Sequence, residues 1–235
     1  GLKSDRMLIH SIPLSYALDG KAGIRNPVGM HVQEMDMHTQ LVTGSSSFVK
    51  TLAESVTSAG INIEGMVLQP LASGEAVLTE EEKELGVVLI DIGGGTSDIA
   101  VFQGGVLVHA AVVPVGGFQF TNDISMMFDT NYEDAEAIKL QFGNVNPEQI
   151  AIDESVVTKI IGENREVTVP RREICQVLKE RAVELFSFVR AKLDKASLKG
   201  MPVLRIVLTG GASNLPGLDE LARRSLTATV RIGIP

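Results

Sequence analysis

One eight-residue run constrains this chain more than any other: Asp91-Ile92-Gly93-Gly94-Gly95-Thr96-Ser97-Asp98, set between two apolar stretches. Three adjacent glycines let the backbone take positive φ and let a ligand approach the main chain with no Cβ in the way. Successive N–H groups in such a turn can face one concavity and hold an anion. Thr96 adds a hydroxyl donor. Asp91, at the end of a strand, suits Mg²⁺, held directly or through water, because Mg²⁺ keeps much of its hydration shell. The flanking residues 87–90 and 99–102 read as strands, the first a continuous apolar run of the kind buried on both faces. No Gly-Lys-Ser/Thr follows, and the next element is a strand rather than a helix, so this is not a Walker-type loop. A hairpin that merely turns the chain would not need an aspartate before the glycines and a second one after them.

Three further pieces carry chemistry in combination. Gly116-Gly117 follows Pro114-Val115 and precedes a predicted helix over 121–128; a glycine pair there can bring a helix N-terminus toward phosphate, although alone it also reads as a structural turn. Val207-Leu208-Thr209-Gly210-Gly211-Ala212 takes a buried strand into small residues and then a helix, with Ser213 or Asn214 as its cap; that leaves room for a flat group such as adenine, or serves only packing. Glu136 and Lys139, three apart, share one face of a helix predicted over 132–142, and by default form a surface ion pair.

The rest of the chain reads as alternating strands and helices. A strand over 7–12 ends at Pro13, a turn follows over 21–29, and a second strand covers 31–42. Ser45 to Ser47 cap a helix whose Phe48, Leu52 and Val56 share a face, stopped by Gly60. Residues 61–68 read as a strand, 71–78 as a helix, and Glu80-Glu81-Glu82 as a solvated helix face or turn. A hairpin joins 99–102 to 106–113 at Gln103-Gly104-Gly105. Short strands are expected over 156–161 and 166–169, then a long helix over 171–196 with Ile174, Val177, Leu178, Leu185, Val189 and Leu193 in one stripe. A strand over 203–208, a helix over 219–224 and a strand over 228–232 close the pattern.

Composition narrows the function classes. Of the 235 residues 44% are hydrophobic and the formal net charge is -8; with no Lys/Arg block, a nucleic-acid surface has little support. The richest apolar stretch, 105–115, is too short to cross a bilayer, and Gly1-Leu2-Lys3-Ser4-Asp5-Arg6 does not open a signal peptide. A cytoplasmic protein is expected. The lone Cys175 cannot bridge within the chain and reads as packing. His10, His31, His38 and His109 lack metal-ligand spacing with one another. Met35, Met37, Met126 and Met127 read as core.

The four glycine and Glu/Lys pieces, in this order, resemble the second half of the actin, Hsp70 and hexokinase ATPase superfamily. Three stretches bring the resemblance to the FtsA family of bacterial cell-division proteins. These are His10-Ser11-Ile12-Pro13-Leu14-Ser15-Tyr16 with Asn26-Pro27-Val28-Gly29-Met30; Leu78-Thr79-Glu80-Glu81-Glu82-Lys83-Glu84-Leu85-Gly86; and Asp98-Ile99-Ala100-Val101-Phe102 leading to Pro114-Val115-Gly116-Gly117. The likeness covers nearly the whole chain and implies an α/β fold. That fold is an actin-like (ribonuclease H-like) ATPase second domain over 87–235, with a small insert over about 132–170, joined through a linker over 70–86 to an α+β subdomain of the 1C type over 1–69.

Carried over residue by residue, the resemblance implies that Asp91 serves Mg²⁺, and that Gly93, Gly94, Gly95 and Thr96 surround the phosphates of ATP. Gly116 and Gly117 line the cleft, Glu136 and Lys139 reach ribose and base, and Gly210, Gly211 and Ala212 lie beside the nucleoside. The family's first phosphate hairpin and its C-terminal membrane-targeting helix have no counterpart here, so at most a weak ATPase is expected and membrane contact would need that helix. The resemblance also implies anchoring of FtsZ filaments on the cytoplasmic membrane face, through the FtsZ C-terminal tail on the insert, with self-association into filaments and contacts to other divisome proteins. A scaffold like the type IV pilus protein PilM is the alternative. A sugar or acetate kinase is a third reading, for which no catalytic carboxylate is in evidence.

Overall fold

The computed structural model describes residues 4–162, 165–196 and 205–235. Gly1-Leu2-Lys3 and the first two residues of the strand expected over 203–208 lie outside them. The chain opens with a three-stranded antiparallel sheet: β1 (Arg6–Leu18), β2 (Lys21–Ile24) and β3 (Met35–Ser45), ordered β2-β1-β3. Asp19 and Gly20 both take positive φ, 46° and 79°, the conformation that a two-residue hairpin needs. The segment read as a turn over 21–29 therefore begins with a strand. β1 also runs on through Pro13. Its register against β3 slips between Pro13 and Ser15, and β2 pairs only with Tyr16 and Leu18, so a residue without an N–H fits an irregular, half-open stretch.

α1 (Ser46–Ser58) starts after Ser45 and is followed by Gly60 at φ 80°. It turns Val49, Ala53 and Val56 inward and leaves Phe48 and Leu52 largely exposed, so the inward stripe is offset from the one expected. Residues 61–68 form no strand. Ile61, Ile63, Met66 and Val67 remain more than a third exposed, and the segment has neither a ladder partner nor a buried face. Leu68 donates its N–H to His10 Nε2 at 2.9 Å, tying the segment's end back to β1. Met35, Met37, Met126 and Met127 are all exposed rather than core.

Two helices follow, α2 (Gln69–Val77) and α3 (Glu80–Leu85), leading into β4 (Val87–Ile92), β5 (Ser97–Gln103) and β6 (Val106–Val113). Then come α4 (Gly117–Met127), α5 (Tyr132–Phe142), a 3₁₀ turn at Pro147–Gln149, the hairpin β7 (Ser155–Lys159) and β8 (Glu166–Pro170), and α6 (Arg171–Lys195). The chain closes with β9 (Arg205–Thr209), a 3₁₀ turn at Gly211–Asn214, α7 (Leu218–Leu226) and β10 (Thr229–Ile232). The central sheet is ordered β10-β9-β4-β5-β6, parallel from β10 through β4 and antiparallel from β4 through β6. α7 begins after Gly217, which takes a left-handed φ of 83°, so the cap is neither Ser213 nor Asn214.

The two-residue period of the strands divides the interior. Val88, Ile90 and Ile92 with Ile99, Val101, Ile206 and Leu208 meet α4 and α6 through Phe120, Ile124, Leu178, Leu185 and Phe186. Val87, Leu89, Ala100, Phe102 and Val207 meet the opposite layer, where Val77 and Leu78 close over them. A methyl on Gly74 would lie 2.5 Å from the Phe102 ring, so α2 rests on that ring through a residue without a side chain. Cys175 is buried in α6, as packing predicts.

The acidic run at the start of α3 is not simply solvated. Thr79 and Glu82 form a reciprocal cap on the helix. Arg231 of β10 donates to Glu82 Oε1 at 2.7 Å and Oε2 at 2.6 Å, and to the Val77 carbonyl at 2.7 Å. Those hydrogen bonds outweigh burial and hold the Glu82 carboxyl down at about 2. The far edge of the sheet is thereby fastened to the helical layer beneath it.

Candidate functional site

The site begins where β4 and β5 part. Gly93 N–H donates to the Thr96 carbonyl at 2.9 Å, closing the glycine loop. None of Gly93, Gly94 and Gly95 takes a left-handed φ, so backbone freedom is not what these glycines supply. Space is. A Cβ on Gly94 or Gly95 would meet nothing within 4 Å, so nothing inside the chain requires either to be glycine.

The loop is braced from behind by α4. Gly117 N–H donates to the Gly93 carbonyl at 2.8 Å and Phe118 N–H to the Gly94 carbonyl at 2.6 Å. The first two N–H groups of α4 are thus spent on the loop, so this helix N-terminus braces the glycine turn from behind. A Cβ on Gly116 would lie 2.6 Å from the Gly93 carbonyl oxygen and 2.8 Å from Thr96 N. Gly116 serves this close approach and does not line the cavity.

In front of the loop lies a cavity of about 690 Å³ lined by Gly93, Gly94, Gly95, Gly117, Glu136, Lys139, Gly211 and Ala212. Eight of the residues expected from sequence therefore meet in one concavity. Phe118, Phe120, Tyr132, Leu140, Leu215 and Pro216 complete its apolar wall. The Glu136–Lys139 pair is not a surface bridge: Lys139 is 12% exposed. Its ammonium donates to Glu136 Oε2 at 2.7 Å, to Thr121 Oγ1 at 2.8 Å and to the Gly117 carbonyl at 3.2 Å. Burial disfavours the Glu136 carboxylate, but hydrogen bonds from Lys139 and Thr121 prevail and hold its carboxyl below the usual range.

Asp91 lies elsewhere. Alternation puts it on the α2 face of the sheet, where its Oδ2 accepts from Ser73 Oγ at 2.7 Å and Gln69 Nε2 at 3.3 Å. It borders a neighbouring cavity of about 540 Å³ with Thr209 and Gly210; Gly211 and Asn214 line both cavities. Gly210, at φ 86°, packs directly against Asp91 and the Ile92 carbonyl. Across the ladder Asp91 faces Asp98. Burial, reinforced by the Asp91 charge, pushes the Asp98 carboxyl up. Two facing carboxylates suit a cation between or beside them, and Mg²⁺ asks for only one or two carboxylates beside water and phosphate. Among the described residues no group of three or more His, Cys, Asp or Glu side chains converges, so this pair fits a hydrated Mg²⁺ and not an all-protein cage. Thr96 is exposed and stands outside both cavity walls.

Sequence reasoning missed Ser73, Thr121 as the hub under Lys139, and the pair Phe118 and Tyr132. Ser73 carries no motif. The rings did leave a signal, since aromatic residues are only 4% of the chain and one of them directly follows the Gly116-Gly117 pair.

Known proteins resemble this chain both in sequence and in fold. The family model described as "Cell division protein FtsA" matches residues 88–235, and the "SHS2 domain inserted in FTSA" matches residues 1–43. The cell division protein FtsA of Rhizobium meliloti (strain 1021) is 38% identical over 237 residues, covering all of this chain and 54% of that protein. The FtsA of Escherichia coli (strain K12) is 37% identical over 241 residues, covering all of this chain and 57% of its own length. The chain thus spans a little over half of the curated relatives it matches.

Among solved structures, the PilM–PilN type IV pilus biogenesis complex matches with a TM-score of 0.69 at 19% identity, over 97% of this chain and 56% of that one. MreB5 of Spiroplasma citri bound to ADP matches with a TM-score of 0.64 at 18% identity, over 81% and 61%. At those identities the likeness shows the fold, which is actin-like. No helix among the described residues is long and apolar enough to cross a membrane. With the family model covering residues 88–235, which hold the glycine loop and all but the first residue of the central sheet, the chain belongs to the FtsA family of cell division proteins.

Proposed function

We propose that the cavity is the nucleotide half-site of an FtsA-type assembly protein and takes ATP with Mg²⁺. The observation that carries this is the open ground in front of Gly94 and Gly95. Two glycines that the fold does not itself require border a cavity with a nearly buried ammonium at its wall. The solved MreB5 proteins of the same fold hold ADP and AMPPNP, which supports the same class of ligand here. Gly93 to Gly95 take the phosphates, with Thr96 at the rim, and Lys139 and Glu136 the ribose side. Gly211 and Ala212 face the nucleoside while Gly210 fixes the turn, and Gly116 and Gly117 back the loop. Asp91, with Asp98 opposite, holds the hydrated Mg²⁺; when bound, that ion offsets phosphate charge.

Hydrolysis is at most slow. Among the described residues Glu136 is the only carboxylate of the cavity wall, and Lys139 and Thr121 occupy it, so these residues offer no free general base. The protein acts as a nucleotide-dependent scaffold rather than a metabolic enzyme. As part of a whole FtsA-type protein, it anchors FtsZ filaments to the cytoplasmic membrane face by docking the FtsZ C-terminal tail on the region 132–170, and it self-associates and meets other divisome proteins. The organisation that supports this is an N-terminal unit over 1–69, a helical link over 70–86 and the ATPase-like body over 87–235.

Calorimetric titration of Mg·ATP into the chain tests the site. Saturable one-site binding is expected; no heat at millimolar ATP would overturn the reading. The pilus-scaffold reading shares the fold but predicts no affinity for an FtsZ tail peptide, which a pull-down decides.

A further inference from the structure

The two oxygens of the Asp91 carboxylate have unlike surroundings. Oδ2 accepts from Ser73 Oγ at 2.7 Å and from Gln69 Nε2 at 3.3 Å. No donor among the described residues reaches Oδ1. That oxygen lies beside Gly210, where an added Cβ would stand 2.4 Å from it, so a residue without a side chain keeps the ground next to it clear. Ser73, Asp91 and Gly210 border the same cavity of about 540 Å³.

α2 as a whole puts Ser73 there. The helix lies close on the sheet because Gly74 rests against the Phe102 ring, and its last carbonyl, that of Val77, accepts from Arg231 at 2.7 Å. Gln69, Ser73 and Val77 follow at intervals of four and so share one stripe of the helix. A serine inside a helix commonly turns its hydroxyl back to the carbonyl four residues before it, at some cost to the helix. Ser73 instead reaches across to Asp91. The Gln69 contact is longer and its residue is exposed, so Ser73 carries the restraint.

A carboxylate with both oxygens free can grip a cation with two, whereas one with Oδ2 engaged offers a single oxygen. Ca²⁺ takes about six to eight oxygen ligands and accepts a carboxylate either way; Mg²⁺ requires a small octahedron and keeps several waters. We propose that Ser73 is a positioning residue that makes Asp91 a one-oxygen ligand, so that the site selects Mg²⁺ over Ca²⁺. This rests on Asp91 holding the cation of a bound nucleotide, and Ser73 acts only through Asp91.

Calorimetric titration of ATP into the full chain, with excess Mg²⁺, excess Ca²⁺ or EDTA, gives the ratio of the two cation-supported affinities. The parent is expected to favour Mg²⁺. Ser73→Ala, which introduces a good helix former, is expected to shrink that ratio about tenfold. Ser73→Thr, which keeps the hydroxyl, is expected to restore it. Damage to helix packing alone would weaken both affinities alike and leave the ratio where it was. Equal parental affinities with the two cations, a ratio unchanged in Ser73→Ala, or a folded Ser73→Thr that behaves like the alanine variant would overturn the role of Ser73 and leave the cation site standing. ATP bound equally well in EDTA would overturn the cation reading itself, and an unsubstituted chain that binds no ATP under any of the three conditions would overturn both.

Discussion

At the scale of single residues, the glycines of this site are not equivalent, and the difference is measurable. Gly210 is bound by the fold: it takes φ 86°, and any side chain there meets Asp91 and the Ile92 carbonyl. Gly210→Ala should cost about 1–3 kcal/mol of stability in denaturant unfolding, because strain and overlap act together. Gly94 and Gly95 carry no such penalty. Asp91 and Asp98 make the opposite case, a like-charged pair directly across a ladder, which is destabilising. The Asp98 carboxyl is raised above the ordinary aspartate range. Folding is therefore favoured while Asp98 stays protonated, and that contribution fades as pH climbs from the ordinary range through the raised one. Asp91→Asn should lessen that fade, whose larger cause is burial, in pH-dependent unfolding curves, and abolish the Mg²⁺ dependence of ATP affinity. Retention of full Mg²⁺ dependence in the variant would place the cation elsewhere.

At the scale of elements, the clamp between α3 and β10 is the clearest test of packing. Glu82 is held at about 2 by Arg231 against a reference of 4.5. Its contribution is present above the unfolded value and lost as pH falls from about 4.5 to about 2. Allowing for solvent around a partly exposed pair, this amounts to on the order of 1–2 kcal/mol. Glu82→Gln should lose that amount at neutral pH and converge with the parent near pH 2 in urea unfolding. This element also shows where sequence reading stops. The cap was written in Thr79 and Glu82, three apart, but their partner Arg231 lies 149 positions beyond Glu82, so nothing local marked the run as a fastener. Likewise the period-2 pattern around β4 and β5 was legible because both faces are buried, whereas residues 61–68 have an apolar pattern with no sheet to join. Pro13 looked like a strand end because its tolerance depends on β2 being short, a fact of pairing rather than of sequence.

At the scale of the whole molecule, the glycine loop, the Gly116-Gly117 turn, α5 and the Gly211–Asn214 turn come from distant parts of the chain. Their convergence is what the sequence motifs, taken together, implied. The wall's aromatic pair and the placement of Asp91 on the far face of the sheet could be known only once strand phase and helix packing were fixed. An FtsZ tail peptide should bind this chain in a fluorescence anisotropy titration, and deletion of the β7–β8 hairpin should remove that binding while ATP binding persists; loss of both would mean the hairpin supports the body rather than a partner. The central claim, that the space before Gly94 is kept for a ligand's phosphates, is tested most directly by Gly94→Val. Because a Cβ at position 94 would meet nothing within 4 Å and Gly94 has no left-handed φ, an unfolding midpoint close to the parent's is expected together with loss of ATP binding by calorimetry. A variant equally stable that still binds ATP with parental affinity would contradict it.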